Sequence, residues 1–290
     1  MLERTILFDL FHNEMLNVEE KDFSDFLNLL KRSHLKIKKN DKNLTTKTLE
    51  NVDILVIGNP IDDYFSNIEI NDINDFLRKG GALLLISEYG ADYLQKTNLN
   101  DISGPNFGIF FEKNLVKQLN DDQKGSSIVN VRNFKSNDMT NNLREVVIGG
   151  SCSLLLNKNA TSLLESHDQN VWTEVFKSSK EEWVKQKEEK QILAAYTEFG
   201  QGKVVALGDI DIFTNDDNIG INSLDNSIFI QNILNWLTKP VKESNVFSYV
   251  LNQIGIIQNE IKELNQTINN IIETMTILEK RISYLEENRD

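Results

Sequence analysis

The sequence predicts an α/β protein, with a doubly wound, mainly parallel sheet over residues 1–240 followed by a long C-terminal coiled-coil helix over 241–290. Three observations carry this reading. Apolar runs of strand length alternate with amphipathic segments up to Lys239-Pro240. Several of those runs are apolar throughout, as strands buried on both faces of a parallel sheet require. Beyond Pro240 there is no further proline and no glycine after Gly255, and apolar residues recur at spacings of 3 and 4.

The first strand is Thr5-Ile6-Leu7-Phe8-Asp9-Leu10. A helix follows over about 22–33, where Phe23, Phe26, Leu27 and Leu30 share one face. Leu35-Lys36-Ile37-Lys38 alternates like a strand with one wet side. Asp53 to Gly58 is a buried strand closed by Asn59-Pro60. Ile70, Ile73, Phe76 and Leu77 mark a helix that ends at Gly80-Gly81, with the glycines as its C-terminal cap, and Ala82 to Ile86 is the next buried strand. Between 98 and 190 the pattern weakens. Val146–Ile148, Cys152–Leu156 and Ser162–Leu164 read as short strands, and Lys177 to Lys190, a charge run around Trp183, reads as an exposed loop or helix. Ile192–Phe199, the turn Gly200-Gln201-Gly202 and Lys203–Asp209 form a hairpin, and a helix spans about 227–237.

In the tail, Phe247, Ile254, Ile261, Ile268, Met275 and Ile282 take one heptad position and Val250, Ile257, Leu264, Ile271, Leu278 and Leu285 the other, with Ile272 widening the stripe. β-Branched residues at the first position with Leu at the second favour dimers, and Ile at both favours trimers or tetramers. The expected partner is a second copy of the chain, as a dimer first and a trimer or tetramer next. A lone helix docking on its own domain would need a groove about 60 Å long.

The chain has 31 Lys and Arg against 44 Asp and Glu, a formal charge of −13. Such a surface repels nucleic-acid phosphates and anionic lipid heads, which argues against both as partners. One cysteine, Cys152, excludes an internal disulfide framework and a four-cysteine zinc site. The N-terminus lacks the features of a secretion signal, and no apolar run approaches membrane-spanning length, so a cytoplasmic protein is expected.

Open α/β sheets bind ligands beyond the carboxyl ends of their strands. The residues that follow the strands here are Asp9 and His12, Asn59, Ser87-Glu88-Tyr89, and Asp209, Asp211 and Asn215. A histidine among carboxylates suits metal binding or acid-base work, although Asp, Asn and Ser are also ordinary loop and cap residues. His34 and His167 lie in polar stretches away from this rim, and Cys152 reads as a small buried hydrophobe. Neither GxxxxGK(S/T) nor GxGxxG occurs, so a nucleotide site has no support from motifs; no cofactor is expected, and no metal site is assigned.

Two stretches, Asp53–Pro60 through Phe76–Ser87 and Gly200–Asp209 with Phe213 and Asn235-Trp236-Leu237, resemble the class I glutamine amidotransferase-like superfamily, a flavodoxin-like fold. Within it the chain resembles the GIFT-domain branch, found in the N-terminal part of intraflagellar transport protein 52 and in gliding-motility ABC transporter components. The resemblance covers about residues 4–240 and is weakest from 112 to 190. The enzymes of the superfamily carry a nucleophile in a Gly-x-Cys-x-Gly pattern. With Gly90 as the last glycine, the cysteine position falls on Glu88 and the first glycine on Ile86. The resemblance therefore implies a domain without catalytic residues, working within a transport or motility complex. The expected function is a non-catalytic scaffold that oligomerises through the tail. The alternative is a hydrolase or a sugar- or metal-binding protein that uses the rim.

Overall fold

The computed structural model describes residues 4–239, apart from 121, 158, 159, 168 and 187, together with helical positions between 254 and 278. The elements are β1 (Arg4–Asp9), α1 (Ser24–Arg32), β2 (Leu35–Asn40), β3 (Ile54–Gly58), α2 (Asn67–Arg78), β4 (Ala82–Ile86), α3 (Ala91–Gln95), α4 (Leu99–Phe107), β5 (Ile109–Phe111), β6 (Leu115–Leu119) and β7 (Gly125–Ser126). They continue with β8 (Ile128–Val131), β9 (Asn133–Phe134), β10 (Val146–Gly149), β11 (Leu154–Leu156), β12 (Thr161–Glu165), β13 (Val171–Lys177), β14 (Glu182–Lys185), β15 (Ile192–Phe199), β16 (Gly202–Leu207) and α5 (Asn226–Leu237).

The main sheet has eight strands in the order β2-β1-β3-β4-β16-β15-β12-β9. From β2 to β16 every neighbouring pair is parallel. The turn at Gly200-Gln201 is too short for a crossover, so β15 runs antiparallel to β16, and β12 and β9 follow in alternation. The expected mainly parallel sheet is thus a mixed one, parallel in one half and antiparallel in the other.

Alternation along the central strands divides the core. Ile6, Phe8, Val56, Leu84 and Val205 pack in one cluster with Phe26, Leu29 and Leu30 of α1 and Phe229, Ile230 and Ile233 of α5. The intervening Leu7, Leu55, Leu83 and Leu85 are equally buried on the other side, where α2 contacts β4 and β16. Each such side chain contributes about 1.5–3 kcal/mol of hydrophobic stabilisation. The outermost parallel strand, β2, carries Lys36, Lys38 and Lys39, charges that oppose further strand addition. Gly80, at φ 103°, ends α2 in a backbone conformation that side chains disfavour, and Gly202 packs so tightly that a Cβ there would lie 2.3 Å from the Leu77 carbonyl oxygen.

The middle of the chain departs from expectation. Two helices, α3 and α4, follow β4, and α4 contains Pro105. Three small antiparallel sheets pair β8 with β10, β5 with β11, and β14-β13-β6-β7. The charge run from Lys177 is neither loop nor helix throughout, because Glu182–Lys185 folds back on Glu174–Lys177 as a hairpin. Trp183 supplies the reason: its ring packs 5.6 Å from Phe176 and 6.1 Å from Tyr89, giving a solvated hairpin an apolar anchor.

Residues 1–241 and 242–290 form two compact units. In the second, Ile254, Ile257, Ile261, Leu264, Ile268, Ile271, Met275 and Leu278 are helical and exposed. Phe247, Val250, Ile282 and Leu285 lie outside the described residues. No helix among the described residues is long and apolar enough to cross a membrane.

Candidate functional site

Parallel pairing of β1, β3, β4 and β16 places Asp9, Asn59, Ser87 and Asp209 at one edge of the sheet. The rim residues expected from the sequence do lie here, but their side chains form two separate groups.

The first group centres on His12, which is fully enclosed. Its Nδ1 lies 2.5 Å from Asp9 Oδ2 and its Nε2 3.3 Å from Glu69 Oε1. The ring stacks on Phe65 with centroids 3.9 Å apart and meets the edge of Phe11 at 5.2 Å. Burial alone would lower the pKa of His12; the hydrogen bond to Asp9 and the charges of Asp9, Glu69 and Asp63 outweigh it and raise the pKa above 6.5. Both ring nitrogens of His12 are thus engaged by carboxylates, an arrangement that favours its protonated form. Asp9 Oδ1 also accepts from Asn40 Nδ2 at 2.9 Å.

Glu69 enters this group through the local logic of a helix start. Ser66 and Glu69 form a capping box, in which Glu69 Oε2 accepts from Ser66 N (2.9 Å) and Oγ (2.8 Å). Burial favours the neutral acid, but the Ser66 donors, His12 and the Leu44 N–H together hold its pKa below the usual range. The Ser-x-x-Glu spacing was readable in the sequence as a helix start, although the tie to His12 was not. Glu14, beside Asp9 and Asp63, is opposite in character: burial and those two charges push its carboxyl well above 4.5.

The second group lies at the elbow after β4. Glu88, Asp209 and Asp211 bring carboxylate oxygens within 4.8 Å of one another. Glu88 Oε1 accepts from Tyr89 N (3.1 Å) and Oε2 from Ile210 N (3.3 Å). Asp209 Oδ2 accepts from Gly149 N (3.1 Å) and Oδ1 from Asp211 N (2.8 Å). Burial first, then the charges of Asp209 and Asp211, raises Glu88 well above its ordinary value, and burial with the charge of Asp211 does the same for Asp209. Burial and Asp216 raise Asp211. Oxygen-only donors of this kind suit a hard divalent cation such as Ca²⁺ or Mg²⁺; without one, burial and repulsion favour the protonated carboxyls.

No cysteine stands at the elbow, which reads Ser87-Glu88-Tyr89-Gly90. Its left-handed backbone falls at Gly90 (φ 76°) and Ala91 (φ 41°), past Glu88. Cys152 sits behind Ser87 and Glu88, wholly buried, and burial with the Glu88 charge pushes its thiol well up. Asn59 and Tyr89 join neither group: Asn59 is buried with its Nδ2 3.0 Å from Met15 Sδ, and Tyr89 is an exposed ring against Trp183. Asn215 instead binds the start of α1, donating from Nδ2 to Ser24 Oγ at 2.8 Å.

Comparison with known proteins agrees with this architecture. The family model described as the IFT52 GIFT domain matches residues 5–120. The mmIFT52 N-terminal domain superposes with a TM-score of 0.66 at 18% identity, covering 81% of this chain and 97% of that one. A ThuA-like protein from Bacteroides uniformis has a TM-score of 0.51 at 12% identity, covering 81% of this chain and 91% of its own. A cytoplasmic protein from Salmonella typhimurium LT2 has a TM-score of 0.50 at 14% identity, covering 81% of this chain and 100% of its own. No curated protein matches the sequence. At these identities the solved structures speak to fold alone. The resemblance read from the sequence therefore holds at two levels: residues 5–120 match the IFT52 GIFT domain, and most of the chain has the fold of the mmIFT52 N-terminal domain.

Proposed function

We propose that this chain is a non-catalytic scaffold, acting in the cytoplasm within a transport or motility assembly, and that its C-terminal helix joins copies of it as a coiled coil. The observation that carries the catalytic half of this reading is the elbow, where a buried Glu88 bound by backbone N–H groups stands at the nucleophile position. The engagement of both His12 ring nitrogens argues in the same direction, since a general base needs a free lone pair. The match to the IFT52 GIFT domain supports an assembly role. The apolar stripe from Ile254 to Leu278 supports self-association, because such a row is otherwise left in water.

Light scattering behind size-exclusion chromatography tests the oligomer, on the full chain and on a truncation ending at Pro240. A dimer or larger species that becomes a monomer on truncation is expected. A monodisperse monomer of the full chain at micromolar concentration overturns self-association through the tail.

One observation favours a second reading, that the rim binds a small ligand or metal: the three carboxylates at Glu88, Asp209 and Asp211. Calorimetry against Ca²⁺, Mg²⁺, Mn²⁺ and a panel of monosaccharides tests it. Heat that disappears in Asp211→Asn would favour this reading over the scaffold, and no heat from any of them would remove it.

A further inference from the structure

We propose that the carboxyl-edge rim is a docking surface for a cationic segment of another protein, one in which apolar side chains are interspersed with lysine or arginine. Three neighbouring strand ends and the helix starts after two of them expose large apolar side chains there: Phe11 and Met15 after β1, Tyr64 and Ile68 (the latter in the first turn of α2) after β3, and Tyr89 and Tyr93 (the latter in α3) after β4. Their exposures run from 41% for Phe11 to 72% for Ile68. Exposed apolar groups gathered in this way mark interaction surfaces, and tyrosine gives large contact area for little lost side-chain freedom.

Direct contacts make these loops one surface. Phe11 meets His12, which stacks on Phe65 next to Tyr64. Asn13 Nδ2 donates to the Ile61 carbonyl at 2.9 Å. Asp62 N donates to the Gln95 carbonyl at 2.8 Å, and Gln95 Nε2 to the Tyr89 carbonyl at 3.0 Å. Tyr93 reaches the tip of the β13–β14 hairpin, its hydroxyl 2.5 Å from Ser178 Oγ.

Charge selects the occupant. Residues 11–15, 61–65, 88–96 and 209–217 hold nine acidic side chains; the carboxyls of Glu14, Glu88 and Asp209 are buried, which leaves Asp62, Asp63, Asp92, Asp211, Asp216 and Asp217 exposed or half-buried, with Lys96 and the enclosed His12 as the basic groups of these segments. Lys96 is already paired with Asp62 at 2.8 Å, and the Tyr93 ring already has an ammonium group, that of Lys113, 5.8 Å from its centroid. The surface thus offers carboxylates and aromatic faces, the two groups that receive a cation best. Residues 242–290 carry eight acidic and five basic side chains, 5 − 8 = −3, so this chain's own tail has the wrong sign. A second copy of the domain is repelled on the same ground, and so are nucleic acids and anionic lipids. A positively charged stretch of a different protein remains.

The test uses the full chain at physiological salt and fluorescence anisotropy of a labelled 16-residue peptide with Leu and Arg at helical spacing, beside its counterpart with Glu for Arg. The Arg peptide is expected to bind and the Glu peptide not. Tyr64→Ala with Tyr93→Ala should weaken binding at least about tenfold. Glu50→Gln with Asp75→Asn, which removes two charges away from the rim, should leave it within about twofold. An unchanged urea midpoint shows that the tyrosine variants fold. Absence of binding up to millimolar peptide, equal binding of the Glu peptide, or equal losses in the two variants overturns the proposal, the last by reducing it to bulk attraction. The proposal stands on the rim and not on the tail, so a monomeric full chain leaves it intact and its own failure leaves oligomerisation intact.

Discussion

Replacing Asp211 by Asn should stabilise the protein at alkaline pH and do nothing in acid. Asp211 faces Glu88 and Asp209 with all three carboxylates inside 4.8 Å, and no described group donates a hydrogen bond to its side chain, so the substitution removes charge and little else. Two ionised carboxylates at that separation repel by about 3 kcal/mol at an effective dielectric constant of about 20. Asp211 is the least enclosed of the three, and solvent screening reduces its share to about 1–2 kcal/mol. The sign follows from linkage. The folded-state pKa values of Glu88 and Asp209 lie above their ordinary 4.5 and 3.8, so the folded state binds more protons than the unfolded chain and stability falls as pH rises through that window. Each group contributes a slope of up to about 1.4 kcal/mol per pH unit there. Urea unfolding at pH 4, 6 and 8, at one protomer concentration, should show Asp211→Asn gaining about 1–2 kcal/mol at pH 8 and converging on the parent at pH 4. A difference that is independent of pH, or a loss at pH 8, would refute the electrostatic reasoning. Stabilisation of the parent by Ca²⁺ that exceeds the gain in Asp211→Asn would show that a cation, not a proton, neutralises the cluster.

Two further outcomes follow from the packing. His12 has its folded pKa raised above 6.5, so its contribution is complete below pH 6.5 and is lost as pH rises through the raised value. His12→Gln should cost about 3 kcal/mol near pH 6, and less above the raised pKa, measured by urea unfolding; an NMR titration midpoint below 6.5 would contradict the upward shift. Gly202→Ala would set a Cβ 2.3 Å from Leu77 O and 2.5 Å from Gly81 O, both rigid backbone atoms, and should lower stability by about 2–4 kcal/mol in thermal unfolding, whereas a neutral result would mean that α2 and β16 separate easily.

How much of this architecture was legible depends on where each element's partners lie. Strands β3 and β4 bury every residue, and their unbroken apolar runs announced them. Helix α2 carried its own punctuation, from the Ser66–Glu69 cap to Gly80. The small sheets were harder because their pairings are distant and half solvated: β6 joins β13 through Thr173 and Val116, and nothing local in either strand records the other. Helix α4 was hidden because Gly104 and Pro105 interrupt its helical pattern, although Gly104 is needed because Phe110 lies against it. In the site, Asp9, His12, Glu88, Asp209 and Asp211 were findable as residues that end strands. Their division into two groups was not, because Glu69, which holds His12, comes from a helix start, and no strand-end rule points there.

The elbow after β4 is also poorly suited to a thiol nucleophile. A Glu88→Cys exchange would place a thiol between Asp209 and Asp211, whose negative charges oppose its ionisation, and Ile86 would still occupy the place of the first glycine. His12, locked between Asp9 and Glu69, could not take up the thiol proton without first giving up its own. Turning this elbow into a thiol-based catalytic site would therefore require several coordinated substitutions, each of little use alone.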